Sequence, residues 1–448
     1  MHRTGTITAA AGQLRARPLE QADDALDAII QAVRQAGRLG VDLLVLPECA
    51  YPAYNLRSRT TYEATSLLGY DALIQLLCDN ARASGLHLVV GLVEPHADQL
   101  HNAAVLIGPD GQVIGTYRKQ FLWDNDHDYF TPGKAIDVFE TALGRIGILI
   151  CADARAPEVV ATLTAERAEL VALPTNWVNA THLPGEFYNP QPDFLIPARC
   201  REFGLPFICA NKSGQEDAET RFCGLSRVVV PDGTTAAETG PTGEAIVVAE
   251  LAPNAAPAPQ MPADCRRRLV SSRPPTEPPV GECLVTLAVA RSDDDRARLT
   301  PQRRCIAMTG RPTDPTSFQV HRRELTVVEP PSAPGLRSAG GNTIGCACGA
   351  DADGFGWPRT LALRGASVLC LFQTRADLDL LRTRAIENRV FVAALTEEWG
   401  AVIAPDGAVL ARDHRLAMAD VDLADAADKT VTPRTHVFAE RRPRSYRF

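Results

Sequence analysis

No apolar run in this sequence approaches the roughly 18 residues that span a bilayer, and the opening stretch MHRTGTITAAAGQLRARPLE has no hydrophobic signal core with a cleavage site. A cytoplasmic protein without a membrane partner is expected. Long Lys/Arg runs are also missing, and a formal net charge of -8 leaves no electrostatic footprint for nucleic acid. The 12 cysteines show no metal or disulfide framework; they are scattered, mostly within apolar segments where a thiol packs as a small hydrophobe. Cys346 and Cys348 stand closest, yet a zinc site needs ligand pairs with wider internal spacing. Reduced, mostly structural cysteines and no metal are therefore expected. Disorder is excluded by 45% hydrophobic and 22% charged residues, and 448 residues suffice for a large core and more than one domain.

What is present alternates. Residues 6–13 read as a strand, followed by Leu19, Ala22, Leu26, Ile29, Ile30 and Val33 at helical spacing. Residues 42–47 read as a strand, apolar from Leu43 onward, that ends at Glu48. One helix is predicted over 64–84, then strands over 86–93 and 103–107, a Gly108-Pro109-Asp110-Gly111 turn, and a strand over 113–117. Strand 146–150, helix 157–167, strand 170–173, helix 194–203 and strand 206–210 continue the pattern, which is that of an α/β layered fold. Residues 253–280 are Pro- and Ala-rich and read as a linker. The predicted organisation is a first domain over 1–252, the linker 253–280, and a second domain over 281–448.

The second domain echoes the first. Arg199-Cys200-Arg201-Glu202 returns as Arg384-Ala385-Ile386-Glu387, and the Pro231-Asp232-Gly233 turn as Pro405-Asp406-Gly407. Ile146-Gly147 and Ala152-Asp153 match Ile344-Gly345 and Ala350-Asp351 at equal spacing, which puts Gly349 where the first copy has Cys151. Residues 281–448 also lack a strand ending in Pro-Glu and a Tyr-Arg-Lys segment. A truncated, non-catalytic copy is expected there.

Three residues carry the candidate chemistry. Cys151 ends an apolar strand and precedes a short turn into a helix, an elbow that exposes a sulfur and aims backbone N–H groups beside it. A thiol attacks only as thiolate, so it needs a base or a positive charge nearby. Glu48, a carboxyl at a strand's mouth, suits a general base. Lys119, ahead of the bulky Phe121-Leu122-Trp123, suits a cation facing a negative tetrahedral intermediate.

These segments, LLVLPECAYP around Glu48, GTYRKQF around Lys119 and RIGILICADARAPE around Cys151, resemble the carbon-nitrogen hydrolase (nitrilase) superfamily. Tyr129-Phe130-Thr131-Pro132-Gly133 and Leu173-Pro174-Thr175-Asn176-Trp177 extend the resemblance over the whole first domain, and Glu440-Arg441-Arg442-Pro443-Arg444-Ser445-Tyr446 is similar to the superfamily's common carboxyl end. The resemblance implies a four-layer α-β-β-α sandwich. It also implies Glu48 as general base and acid, Lys119 as oxyanion-stabilising cation, Cys151 as nucleophile with the Ala152 N–H as a second oxyanion donor, and no cofactor. Where the family carries a second glutamate that holds the lysine, this sequence has Asp126, one methylene shorter, with neighbouring Asp124 and Asp128 as alternatives for the contact. Nitrile hydrolysers have Trp-Glu after the cysteine; Ala152-Asp153 looks more like the amidase and carbamoylase branches.

The expected function is hydrolysis of a small-molecule amide through a thioester, with ureido and then nitrile hydrolysis as alternatives, and acyl transfer or a non-catalytic scaffold as competing classes. Tyr54, Trp123, Asn176, Trp177 and Tyr188 are candidate pocket residues. Because superfamily members commonly dimerise, the second copy is expected to pair internally with the first as a pseudo-dimer, with further homo-oligomers left open.

Overall fold

Short, β-branched apolar runs separated by amphipathic stretches build two sheets in the first part of the chain. The computed structural model describes residues 5–180, 186–253, 261–272, 283–292, 294–295, 305–309, 325–328, 330–339, 341–373 and 375–448. Their contacts separate two units. The first comprises Met1–Pro259, Thr432–Thr435 and Glu440–Phe448, and the second comprises Gln260–Val431 and His436–Ala439. The last nine residues, counted with the second domain from sequence, thus group with the first unit. Among the described residues no helix is long and apolar enough to cross a membrane.

In the first unit, β1 (Ile7–Arg15), β2 (Leu43–Val45), β3 (His87–His96), β4 (Gln99–Ile107) and β5 (Val113–Arg118) lie side by side. β2 runs parallel to both neighbours and is buried along its length, as expected for a strand covered on both faces. α1 (Ala22–Arg38) buries Ala22, Ala25, Ala28, Ile29, Ala32, Val33 and Ala36, a stripe at spacings of three and four. With α2 (Arg59–Ala64) preceding it, α3 (Tyr70–Ser84) buries Leu73 and Leu77 in the same core, against Leu44, Leu88, Val90 and Val105 of the sheet.

The second sheet collects β6 (Val138–Thr141), β7 (Gly144–Ile148), β8 (Leu170–Pro174), β9 (Phe207–Ala210), β12 (Arg227–Val229) and β13 (Thr235–Glu238), with β10 (Lys212–Gln215), β11 (Arg221–Cys223) and β14 (Ala245–Leu251) joining the first. It packs on the first sheet, β1 facing β9 and β3 facing β8. The helix α5 (Pro157–Ala165) lies close over β7, where a side chain on Gly147 would stand 2.8 Å from Leu163. The helix α6 (Ile196–Phe203) packs beside α5. With α1 and α3 on the far side of the first sheet, this is the expected α-β-β-α order of layers.

The second unit holds two further sheets. One is ordered β17 (Leu325–Val328), β16 (Cys305–Thr309), β15 (Leu284–Ala290), β24 (Leu416–Asp422). The other is β18 (Gly335–Ala339), β19 (Asn342–Cys348), β20 (Val368–Phe372), β21 (Phe391–Leu395), β22 (Gly400–Ile403), β23 (Val409–Asp413). Its pairings run antiparallel, parallel, parallel, antiparallel, antiparallel, the same senses as β6-β7-β8-β9-β12-β13 in the first unit. A register shift falls at Val228/Val229 in one and at Val402/Ile403 in the other. Buried arginines match too: Arg199 pairs with Glu202 and donates to Arg155 O, while Arg384 pairs with Glu387 and donates to Asp353 O.

The segment expected to be a linker contains a helix. α7 (Ala263–Ser271) buries Cys265 and Leu269 and packs on the helix Gly356–Leu363 of the second unit, because two apolar residues one turn apart suffice to anchor a short helix. Residues 254–260 and 273–280 of that segment lie outside the described residues.

Candidate active site

Glu48 is set where the chain leaves β2 after Leu46-Pro47. Cys49 beside it has φ 41, in the left-handed region that non-glycine residues rarely enter. The loop lies so close on β3 that a Cβ on Gly91 would stand 2.5 Å from Glu48 Cα, so glycine is required there. Asn176 Nδ2 donates to Glu48 O at 3.0 Å and holds the loop from the second sheet.

Lys119 follows β5. Its N–H donates to Asn102 O at 2.9 Å, and its carbonyl accepts Gly133 N–H at 2.8 Å. The side chain is buried, with Nζ donating to Glu48 Oε1 at 2.6 Å and to Asp126 Oδ2 at 2.5 Å. The shorter aspartate therefore reaches the ammonium. It does so from a helical turn, Asp126–Tyr129, where Trp123 N–H donates to the same Oδ2 at 2.9 Å. Asn102 on β4, which sequence reasoning missed, donates from Nδ2 to Glu48 Oε1 at 2.7 Å and lies 3.4 Å from Asp126 Oδ1. The signal was there: a lone asparagine at the head of an apolar strand.

Cys151 stands just past β7 at the start of a 3-10 turn, Cys151–Arg155, with φ 45. The turn is staked by Asp153, whose carboxylate accepts Ile150 N–H at 3.0 Å, Gln120 N–H at 3.1 Å, Phe121 N–H at 2.8 Å and the Tyr117 hydroxyl at 2.8 Å. One buried side chain thus ties the cysteine elbow to the segment bearing Lys119. Ala152 is buried beside the sulfur's backbone. Gln191, also unanticipated, donates from Nε2 toward Cys151 Sγ at 3.7 Å.

The electrostatics follow from burial. Burial pushes the Cys151 thiol up to about 12, reinforced by the Glu48 carboxylate and opposed by Lys119 and the Thr175 hydroxyl. Burial also raises Glu48 above 4.5, and Asp126 adds to the rise while Lys119 opposes it. For Lys119 burial works against the charge, but Asp126, Glu48 and Cys151 outweigh it, so the ammonium is held well above its usual range. Glu48 and Lys119 thus act on the thiol in opposite senses. Glu48 Oε2 is buried without a hydrogen-bond partner among the described residues, which leaves a carboxylate oxygen ready to take a proton.

Of the expected pocket residues, Tyr54 is buried, bonds Trp123 O at 3.5 Å, and feels Asp126, Glu48 and Cys151. Trp123 is half-buried with the Arg155 guanidinium 4.3 Å above its ring. Asn176 borders the site through Glu48, with its Oδ1 buried and unbonded among the described residues. Trp177 is fully buried in the core, with its backbone held by Asn211 and Cys223. Tyr188 is 37% exposed, its backbone bonded to Asn179 and Ala180.

Comparison with known proteins identifies the family. The carbon-nitrogen hydrolase family matches residues 8–259. A nitrilase of Pyrococcus abyssi is 31% identical over 49% of this chain and 80% of its own length. An (R)-stereoselective amidase of Pseudomonas sp is 32% identical over 44% of this chain and 69% of its own. An amidase from Nesterenkonia sp. superimposes with a TM-score of 0.52 at 28% identity, covering 59% of this chain and 97% of that one. With more than half of its length matched by the family, this chain belongs to the carbon-nitrogen hydrolases of the nitrilase superfamily.

Proposed function

We propose that the first unit hydrolyses small amides through a thioester on Cys151, with Glu48 as proton carrier and Lys119 as oxyanion cation. The observation that carries this reading is Lys119 Nζ clamped between Glu48 Oε1 and Asp126 Oδ2 while Glu48 Oε2 stays unbonded among the described residues. The resting thiol is protonated, so attack and proton transfer are coupled. Glu48 takes the thiol proton as Sγ bonds to the carbonyl carbon, and the carbonyl oxygen becomes an oxyanion faced by Lys119 and the Ala152 N–H. Glu48 then gives that proton to the nitrogen, the C–N bond breaks, and ammonia or an amine leaves. Water attacks the thioester, Glu48 accepts its proton, and the C–S bond breaks to give the acid; Glu48 returns the proton to sulfur.

Two things favour an amide. Ala152-Asp153 follows the cysteine where nitrile hydrolysers carry Trp-Glu, and Asp153 is committed to four structural hydrogen bonds. A mutant of the Nesterenkonia amidase, 29% identical with a TM-score of 0.52, carries the acetamide moiety of fluoroacetamide covalently at its active site cysteine. Nitrile hydrolysis is the second reading, favoured by the similarity to the Pyrococcus abyssi nitrilase.

In the second unit, Gly349 has φ 57 where the cysteine elbow would lie, and the described strands include none that corresponds to β4 or β5, which carry Asn102 and Lys119. We read that unit as a catalytically empty counterpart. Incubation with matched amide, ureido and nitrile panels should release ammonia fastest from an amide and give an acyl mass adduct on Cys151. The Cys151→Ala chain should lose both. Residual turnover would move the chemistry elsewhere, and a nitrile preference would reverse the substrate assignment.

A further inference from the structure

Gln191 has no part in the mechanism above, yet its polar side chain is aimed at the sulfur. It is 2% exposed, with Nε2 3.7 Å from Cys151 Sγ, and its Oε1 is buried without a hydrogen-bond partner among the described residues. A buried carbonyl oxygen without a donor costs free energy unless something supplies one.

The backbone that presents it is held on both sides. Asn189 Oδ1 accepts the Gln191 N–H at 2.9 Å, Asn189 Nδ2 donates to Val178 O at 2.8 Å, and Arg227 Nη1 donates to Pro192 O at 2.7 Å. Gln191 also opens a single π-helical turn, Gln191–Leu195, that runs into α6. Such turns insert one residue into a helix and recur at functional sites.

The substrate decides what such an acceptor meets. Once Sγ has bonded to the reacting carbon, that carbon carries an oxyanion, the acyl chain and the leaving nitrogen. The oxyanion is itself an acceptor and faces Lys119 and the Ala152 N–H, and an acyl α-carbon offers no strong donor. The leaving nitrogen carries N–H groups within reach of a carboxamide that touches the sulfur. We infer that Gln191 Oε1 accepts a hydrogen bond from the leaving nitrogen and thereby selects substrates with an NH2 group on the reacting carbon over esters of the same acid. The inference rests on the thioester reading of Cys151. A site built to pair with a substrate N–H discriminates against an analogue that lacks it, because its own polar atom is then left unpaired.

The test is the ratio of kcat/KM for a primary amide to that for the methyl ester of the same acid, measured on one sample so that the folded fraction cancels. In Gln191→Leu the amide-to-ester ratio should fall about 10- to 100-fold, the equivalent of one lost hydrogen bond to a buried group. Gln191→Glu keeps an acceptor oxygen in place and should keep or raise the ratio. An unchanged ratio in Gln191→Leu, an equal fall in both variants, or loss of both activities by both variants overturns the assignment, since the residue would then only hold the sulfur. Intact-mass detection of an acyl adduct on Cys151 in the native chain separates the two levels. With the adduct present and the ratio unmoved, Gln191 alone is misassigned; with no adduct and no turnover, the thioester reading fails and takes this one with it.

Discussion

Lys119 gathers two carboxylates on one ammonium inside the protein, and this sets the working range of Glu48. Removing one member of a buried ionic group leaves the others uncompensated. Because burial and Asp126 hold Glu48 above 4.5, kcat/KM should fall with decreasing pH at a point above 4.5, where the base becomes protonated. Asp126→Asn removes a charge that raises Glu48, so the acid limb should move to lower pH, while the rate falls about 10- to 100-fold as Lys119 loses its second anchor. A pH-rate profile checks this, and a limb that stays or moves upward contradicts it. Glu48 and Cys151 stood out as candidates because each closes an apolar run, whereas Lys119, between Arg118 and Gln120, became a candidate only in combination with the other two. Asn102 left a sign only in standing just ahead of an apolar run, and Gln191 left none, since an amide side chain carries no sign of what it faces.

At the scale of elements, the site depends on how closely loops approach strands. A Cβ on Gly91 in β3 would meet backbone, Glu48 Cα and Pro47 O both at 2.5 Å, neither of which can swing aside. Gly91→Ala should destabilise the chain by about 1–3 kcal/mol and lower kcat/KM roughly 100-fold, the usual result of moving a catalytic group by about an ångström. Denaturant midpoints and turnover measure the two effects, and full activity would show that the Glu48 loop tolerates displacement. Helix α1 and the Gly108–Gly111 turn could be read from periodicity and turn chemistry. Of the single helix expected over 64–84, α3 forms only from Tyr70 onward, after Gly69, while the unanticipated α2 ends at Ala64 and is capped by Ser58 Oγ accepting Thr61 N–H at 3.0 Å. Apolar residues at helical spacing continue across the break, so periodicity alone cannot see it; the Ser58 cap and Gly69 mark it.

Across the whole molecule, the chain's final segment returns to the first unit. Arg441 Nε donates to the fully buried Glu158 at 2.8 Å, Ser445 Oγ to Gln120 Oε1 at 2.7 Å, and Arg447 N–H to Thr162 Oγ1 at 3.1 Å. Glu158 lies in α5, directly behind the cysteine elbow, and Gln120 follows Lys119. Arg441→Ala should therefore destabilise the protein by about 3–5 kcal/mol by withdrawing a buried cation from a buried carboxylate. A chain ending before residue 440 should be at least as unstable. Equilibrium unfolding of the two variants tests this, and an unchanged midpoint would make the segment peripheral.

The sequence by itself determined the alternation of strands and helices in the first unit, and where a carboxyl and a thiol close apolar strands, because hydrophobic period and strand-end polarity are local properties. It also displayed the echo between the two halves, down to the glycine at 349. Only the tertiary structure decided that Asp126 reaches Lys119, that Asn102 and Gln191 join the site, that Trp177 belongs to the core, and that the last nine residues serve the first unit. Those outcomes depend on distances between residues far apart in the chain, which packing of the two sheets creates and local pattern does not encode.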